Sequence, residues 1–215
     1  MLLKNTSMKY INRSEIDSLE HVYKLNLVNS CTGYKSANLI GTISEAGIEN
    51  VAVFSSVIHM GSSPPLLGFV TRHNVQPKDT LANIKASGFY TINHISNDIV
   101  KEAHQTSANY PSDLSEFEET GLLPQYKDDF MAPFVAESPV QIAMKIVEEV
   151  VIKKNNTILV LGEIIAIYVK DEILQSDGYL DLSKGHVASI NGVDGYCLPK
   201  PLGRFDYAKP NLNFK

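Results

Sequence analysis

Apolar and polar residues alternate over short runs along most of this chain, the two-residue period of half-buried strands. The run 50–57, NVAVFSSV, sets Val51, Val53 and Ser55 on one face and Ala52, Phe54 and Ser56 on the other. It follows 38–44, NLIGTIS, across a turn at Glu45-Ala46-Gly47, and the pair reads as a hairpin. The segment 59–65, HMGSSPP, carries a Gly and paired prolines that exclude regular structure, so it reads as a loop. LLGFVT at 66–71 then resumes as a strand, and FYTINHI at 89–95 forms another. The runs 140–152, VQIAMKIVEEVVI, and 157–169, TILVLGEIIAIYV, predict a long antiparallel pair joined at Lys154-Asn155-Asn156. There Lys145, Val147 and Glu149 alternate with Ile146, Glu148 and Val150, which favours strand over helix.

Helical signals are short. Asp79 or Thr80 can cap a helix through TLANIKA that Gly88 ends. A second begins at Asn97 or Asp98 and runs to about Ala108, with Ile99, Val100 and Ala103 at helical spacing. Residues 109–133 mix Pro and Gly with the acids Asp113, Glu116, Glu118, Glu119, Asp128 and Asp129, and read as a surface excursion with one helical turn near 115–120. A turn-rich element at 171–182 leads into a closing segment at 187–199. The polar residues 1–16 are peripheral, and 199–215 form a Pro-containing tail that needs a surface or a partner subunit to lie on. Many strands with a few short helices predict a mainly β fold, a barrel core with helical insertions, in one domain spanning 1–215. Strands do not alternate with long helices, which disfavours a doubly wound parallel sheet.

Composition narrows the function. The chain has 215 residues and a formal net charge of −5, without any basic run. Lys153-Lys154, the densest basic stretch, lies between Glu148-Glu149 and Asn155-Asn156, so the clustered cations expected of nucleic-acid binding are missing. No apolar run approaches the roughly 20 residues of a membrane span, and the N-terminal segment lacks the apolar core of a secretory signal. Two cysteines, Cys31 and Cys197, make neither a disulfide framework nor a four-ligand zinc site. A cytoplasmic setting is the expectation. The six histidines never pair as HxH or HxxxH, so no metal site is expected.

Chemistry is concentrated at 50–83. The sequence lacks GxGxxG after a strand, GxxxxGK[ST] and GxSxG. Instead, small Ala52 and the pair Ser55-Ser56 at a strand end offer backbone and hydroxyl groups beside an apolar wall, a surface suited to a flat heteroaromatic ring. Arg72, Lys78 and Thr80 cluster before a helix start, whose free amides and dipole favour a phosphate. Asp79 would repel that phosphate if it pointed inward, and reads as a cap or as turned away. Ser-Ser equally suits a turn, and Lys-Asp-Thr equally suits a cap.

In order and spacing these residues resemble the flavin reductase-like, FMN-binding split-barrel family. The resemblance runs from Asn38-Leu-Ile-Gly-Thr through Asn50-Val-Ala-Val-Phe-Ser-Ser, Ser63-Pro-Pro, Arg72, Lys78-Asp-Thr, Asn83 and Tyr90-Thr-Ile-Asn. It continues through Ala103-His-Gln-Thr-Ser-Ala, Glu116-Phe117, Gly121, Pro133-Phe-Val-Ala-Glu-Ser-Pro, Leu161-Gly-Glu-Ile and Gly192 to Tyr196, covering about 36–198. It implies a Greek-key split barrel that forms a homodimer, with FMN beside the subunit interface. By similarity Asn50, Val51, Ala52, Val53, Phe54, Ser55 and Ser56 would line the isoalloxazine and ribityl chain. Lys78 and Thr80, with Arg72 and Asn83, would take the phosphate, and His104 and Ser107 would lie near the flavin. Glu116 stands where some relatives carry Lys, and Val193-Asp194-Gly195 stands where the closing motif often carries Arg near Tyr196.

The activity so implied is NAD(P)H:flavin oxidoreduction, with NADH or NADPH as donor and His104 as the one side chain that could assist. The cofactor carries the hydride chemistry, so no catalytic triad is required. An electron-transfer flavoprotein of flavoredoxin type, working with a redox partner protein, and a non-catalytic FMN-binding module are the alternatives.

Overall fold

The computed structural model describes residues 7–72 and 79–210. Lys78 lies outside them. In chain order the elements are α1 (Arg13–Ser18), α2 (His21–Ser30), β1 (Lys35–Ser36), β2 (Asn38–Ile43), β3 (Glu49–Phe54), β4 (Ile58–Ser62), β5 (Pro65–Arg72), α3 (Asp79–Ser87) and β6 (Phe89–His94). A 3₁₀ turn, Asn97–Ile99, leads into α4 (Val100–Gln105), followed by α5 (Glu116–Thr120), β7 (Pro124–Gln125), β8 (Phe134–Val135), β9 (Val140–Ile152), β10 (Thr157–Val169), β11 (Ser189–Asn191) and β12 (Gly195–Cys197). The fold is mainly β, as the alternation predicts.

One seven-stranded antiparallel sheet, in the order β3-β2-β6-β9-β10-β5-β4, forms the frame. Ile40, Ile92 and Ile142 face one another across β2, β6 and β9 and are buried. With Phe69, Tyr90, Met144, Ile158 and Val160 they fill one side of the sheet, where Phe54 meets Phe69 edge-on at 5.1 Å between ring centroids. The opposite register, Leu39 and Val51, packs beneath Ala103, Phe117, Ala188 and Ile190 of the helical and closing segments. The period of two therefore gives β2 and β6 two buried faces, one inside the barrel and one under the insertions.

The curled sheet is stitched by a side chain. Ser56 Oγ donates to the Val70 carbonyl at 3.1 Å and accepts the Val70 N–H at 3.0 Å. The segment leaving β3, at one margin of the sheet, is thereby tied to β5 near the other. At Gly41 the backbone of β2 passes so close to the Pro133 carbonyl that a Cβ would collide with it.

Two expectations need correction. The segment 59–65 is not a loop throughout: Ile58–Ser62 is β4, paired with β5 with a register shift between His59 and Gly61. Its prolines fall at the turn and at the first residue of β5, where a missing N–H removes little from the ladder. The second helix stops at Gln105 rather than Ala108, and Thr106 Oγ1 donates to the Ala103 carbonyl at 2.7 Å just after it ends.

Candidate functional site

β3 and the start of α3 bound a cleft of about 230 Å³. Asn50, Ala52, Val53 and Phe54 give it one wall, Asp79 and Thr80 one end, and the segment Thr106–Tyr110 the other wall. Thr71 and Glu116 complete the lining. Small Ala52 leaves room beside the Phe54 ring. Because β3 ends the sheet, every second amide along it faces away from β2. The Val51 N–H, pointing to Glu116 Oε2 at 3.4 Å, marks that open edge.

A buried polar network forms the floor. Asn50 Oδ1 accepts hydroxyl hydrogens from Thr42 and Thr80, each at 3.1 Å. Asn50 Nδ2 donates to Glu116 Oε2 at 2.7 Å, and Asn83 Nδ2 donates to Thr42 Oγ1 at 3.1 Å. Five side chains from β2, β3, α3 and α5 are thus fixed around one amide. Satisfied buried networks of this kind are rigid, and rigidity positions a ligand.

The charge in the cleft is acidic. Burial pushes the Glu116 carboxyl up, hydrogen bonds from its own backbone, from Val51 and from Asn50 pull it back, and the Asp79 charge raises it again. Burial also raises Asp79 against a hydrogen bond from its own backbone. Asp79, expected to cap or to turn away, lines the cleft.

Of the candidate residues, the structure gathers Asn50, Ala52, Val53, Phe54, Thr80 and Ser107 around the cleft. Asn83 lies beneath, reaching Asn50 through Thr42. The Val51 side chain is buried in the core under the insertions. Ser56 is engaged with Val70, while half-buried Ser55 and exposed Arg72 are outside the lining. His104, exposed on α4, meets Tyr196: Nδ1 is 3.3 Å from the hydroxyl and the rings are edge-on. Tyr196 is itself pushed up to about 12, first by burial and then by Asp194. Sequence reasoning missed Thr71, Thr106, Tyr110 and Glu116. The family resemblance marks Glu116 apart from Glu118 and Glu119 without giving it a place in the site; the helical register turns it inward and leaves the other two exposed.

A model of the flavin reductase like domain matches residues 34–189. The chain belongs to that family. A Shewanella frigidimarina protein with a split barrel domain, proposed to be a flavin reductase, is 44% identical in sequence. It superposes with a TM-score of 0.90, over 94% of this chain and 100% of that one. An uncharacterized protein of Aquifex aeolicus is 29% identical over 64% of this chain and 70% of its own length. The flavoredoxin of Desulfovibrio vulgaris shares the fold at 23% identity and a TM-score of 0.68, over 85% of this chain and 94% of that one. The chain is therefore a split barrel, and its function is related to flavin oxidoreduction. Among the described residues no helix is long and apolar enough to cross a membrane.

Proposed function

We propose that the chain is an FMN-binding oxidoreductase that passes a hydride from NADH or NADPH through the flavin. The observation that carries this reading is the cleft along the β3 edge, closed at one end by the start of α3, in a chain of the flavin reductase-like family. The residues suit a flat polar ring. Ala52 is small, Phe54 supplies an apolar surface, and the outward amides of β3 offer donors and acceptors to ring carbonyls and nitrogens. Asn50, held at both ends of its amide, fixes the floor against which the ring and ribityl chain would rest.

The phosphate would lie at the α3 end beside Lys78 and Thr80; Arg72, exposed outside the lining, and Asn83, beneath the floor and bonded to Thr42, are less well placed for it than the resemblance implies. Thr80 commits its hydroxyl hydrogen to Asn50, so it would serve the phosphate through its backbone N–H at the helix start. When bound, FMN would supply the hydride chemistry of the site. The chain's own residues would seat the ring along β3, limit water on the Thr106–Tyr110 side, and leave the cleft accessible to the donor. His104 and Tyr196, hydrogen-bonded near the far side of α4, are the candidates for steadying the donor.

The test is an absorption spectrum of the purified protein with FMN, followed by NADH and NADPH under anaerobic conditions. Retained flavin that bleaches with either nucleotide is the expected result. Retained flavin that neither nucleotide bleaches would move the assignment to electron transfer from another donor. Failure to retain FMN or riboflavin would remove the flavin reading. In the same assay Lys78→Ala should weaken FMN about 10- to 150-fold, the worth of one charge-assisted hydrogen bond, and riboflavin far less.

A further inference from the structure

Glu116 is an odd neighbour for a phosphorylated ligand. Its side chain joins a cleft already holding Asp79, and the residue is 7% exposed. The hydroxyl of Thr80, the residue placed beside the phosphate, and the carboxylate of Glu116 are bonded to the two ends of the same Asn50 amide. A dianion at the start of α3 would therefore stand one side chain away from Glu116 and directly beside Asp79. Beside a side chain as buried as Glu116, like charges cost more than on a surface.

We propose that FMN enters this cleft together with a proton taken from solvent onto Glu116, whereas riboflavin enters without one. The inference rests on the reading of the cleft as a flavin site. Geometry selects Glu116 over Asp79 as the acceptor. The hydrogen bonds that reach the Glu116 carboxylate from β3, from the Asn50 side chain and the Val51 N–H, both fall on Oε2, leaving Oε1 to carry a hydrogen. Asp79, at the first turn of α3, is less buried, and each of the two carboxyls also takes a hydrogen bond from its own backbone. Among the described residues, Asp79 is the charged group that acts on Glu116, and it pushes the carboxyl the same way as burial does. Proton uptake removes one of two negative charges just where a third and fourth arrive.

Glu116 is accordingly a specificity-determining residue. At low pH the protonated cleft favours FMN, and as pH rises the ionised cleft discriminates against the phosphate while leaving the ring pocket unchanged. The phosphate itself also titrates near neutrality, so the location of the proton has to be tested and not only its uptake.

Calorimetric titration in two buffers of different ionisation enthalpy counts the protons bound per flavin. The expected result is uptake approaching about one proton for FMN at the pH of steepest change, and no uptake for riboflavin. The FMN Kd should rise by up to about tenfold per pH unit across that window. Glu116→Gln keeps an oxygen for Asn50 and Val51, so it should bind both flavins while losing the uptake and flattening the FMN profile. Asp79→Asn should tighten FMN yet keep the uptake. Uptake persisting in Glu116→Gln would put the proton on the phosphate or on Asp79 and overturn the proposal. FMN bound by the parent without uptake would overturn it while leaving the flavin site standing. A parent that binds neither flavin would remove both.

Discussion

At the scale of single residues, His94 and Glu116 show burial acting on opposite kinds of charge. The His94 ring, on β6, has a buried Nδ1 without a hydrogen-bond partner among the described residues, and burial lowers its pKa to about 4. Unfolded, the imidazole titrates near 6.5. Between those values the unfolded chain holds a proton that the folded chain refuses, so stability falls as pH drops from about 6.5 to about 4. The loss is at most about 3 kcal/mol, at about 1.4 kcal/mol for each tenfold difference in proton affinity between the two states. Glu116 works the other way. Its raised carboxyl favours the folded state below the unfolded pKa, and that contribution disappears as pH rises through the folded value. Urea unfolding of the parent, His94→Gln and Glu116→Gln across this range separates the two. The parent-minus-variant difference should grow more unfavourable toward acid for His94 and toward neutral pH for Glu116. A difference for His94→Gln that does not change with pH would mean that the ring is solvated.

At the scale of elements, the closing of the sheet depends on Ser56. Replacing it by Ala removes both bonds to the Val70 backbone and should cost about 1–3 kcal/mol, the range for leaving half-buried polar groups unpaired. Hydrogen exchange gives a local readout: the Val70 amide should lose protection while the Ile92 amide, in the middle of the sheet, keeps it. Equal protection in parent and Ser56→Ala would mean that water replaces the hydroxyl without loss. Sequence pattern runs the strand through Ser56, whereas β3 ends at Phe54, and it cannot tell a stitching hydroxyl from a ligand-binding one, because the partner lies fourteen residues away on another strand. The same limit recurs. β9 and β10 were legible to their end residues because thirteen-residue alternating runs have few other readings. β4 was not, because its Gly and the prolines of its turn carry loop signals that tertiary pairing overrides. Nor were α1 and α2, none of whose residues is buried, so no apolar stripe marks them. In the cleft the wall on β3 was legible from its small and apolar residues, whereas Glu116 and the Thr106–Tyr110 wall depend on how insertions fold back.

At the scale of the whole molecule, the distribution of exposed apolar groups argues for a second copy of the chain. Along the β9–β10 hairpin, Val147, Val151, Ile165 and Ile167 are each at least 50% exposed. In the tail, Leu202, Phe205 and Tyr207 are almost wholly exposed, although Arg204 holds Asp177 at 2.7 Å and sits over the Tyr179 ring. Single exposed apolar residues need no explanation, but long stretches of them commonly mark an interface. A stable interface hides roughly 800 Å² per partner, and the exposed apolar residues of the hairpin and of the tail are expected to contribute to it together. Sedimentation velocity at micromolar concentration should give a species of two chains. Ile165→Glu with Ile167→Glu, and separately removal of the residues after Pro199, should each shift that species toward the single chain. If the cleft needs the second copy for part of its wall, FMN affinity should fall in step with the dimer fraction as the protein is diluted. A folded single chain that binds FMN at full affinity would place the whole flavin site within one subunit and leave the exposed hairpin without a role in it.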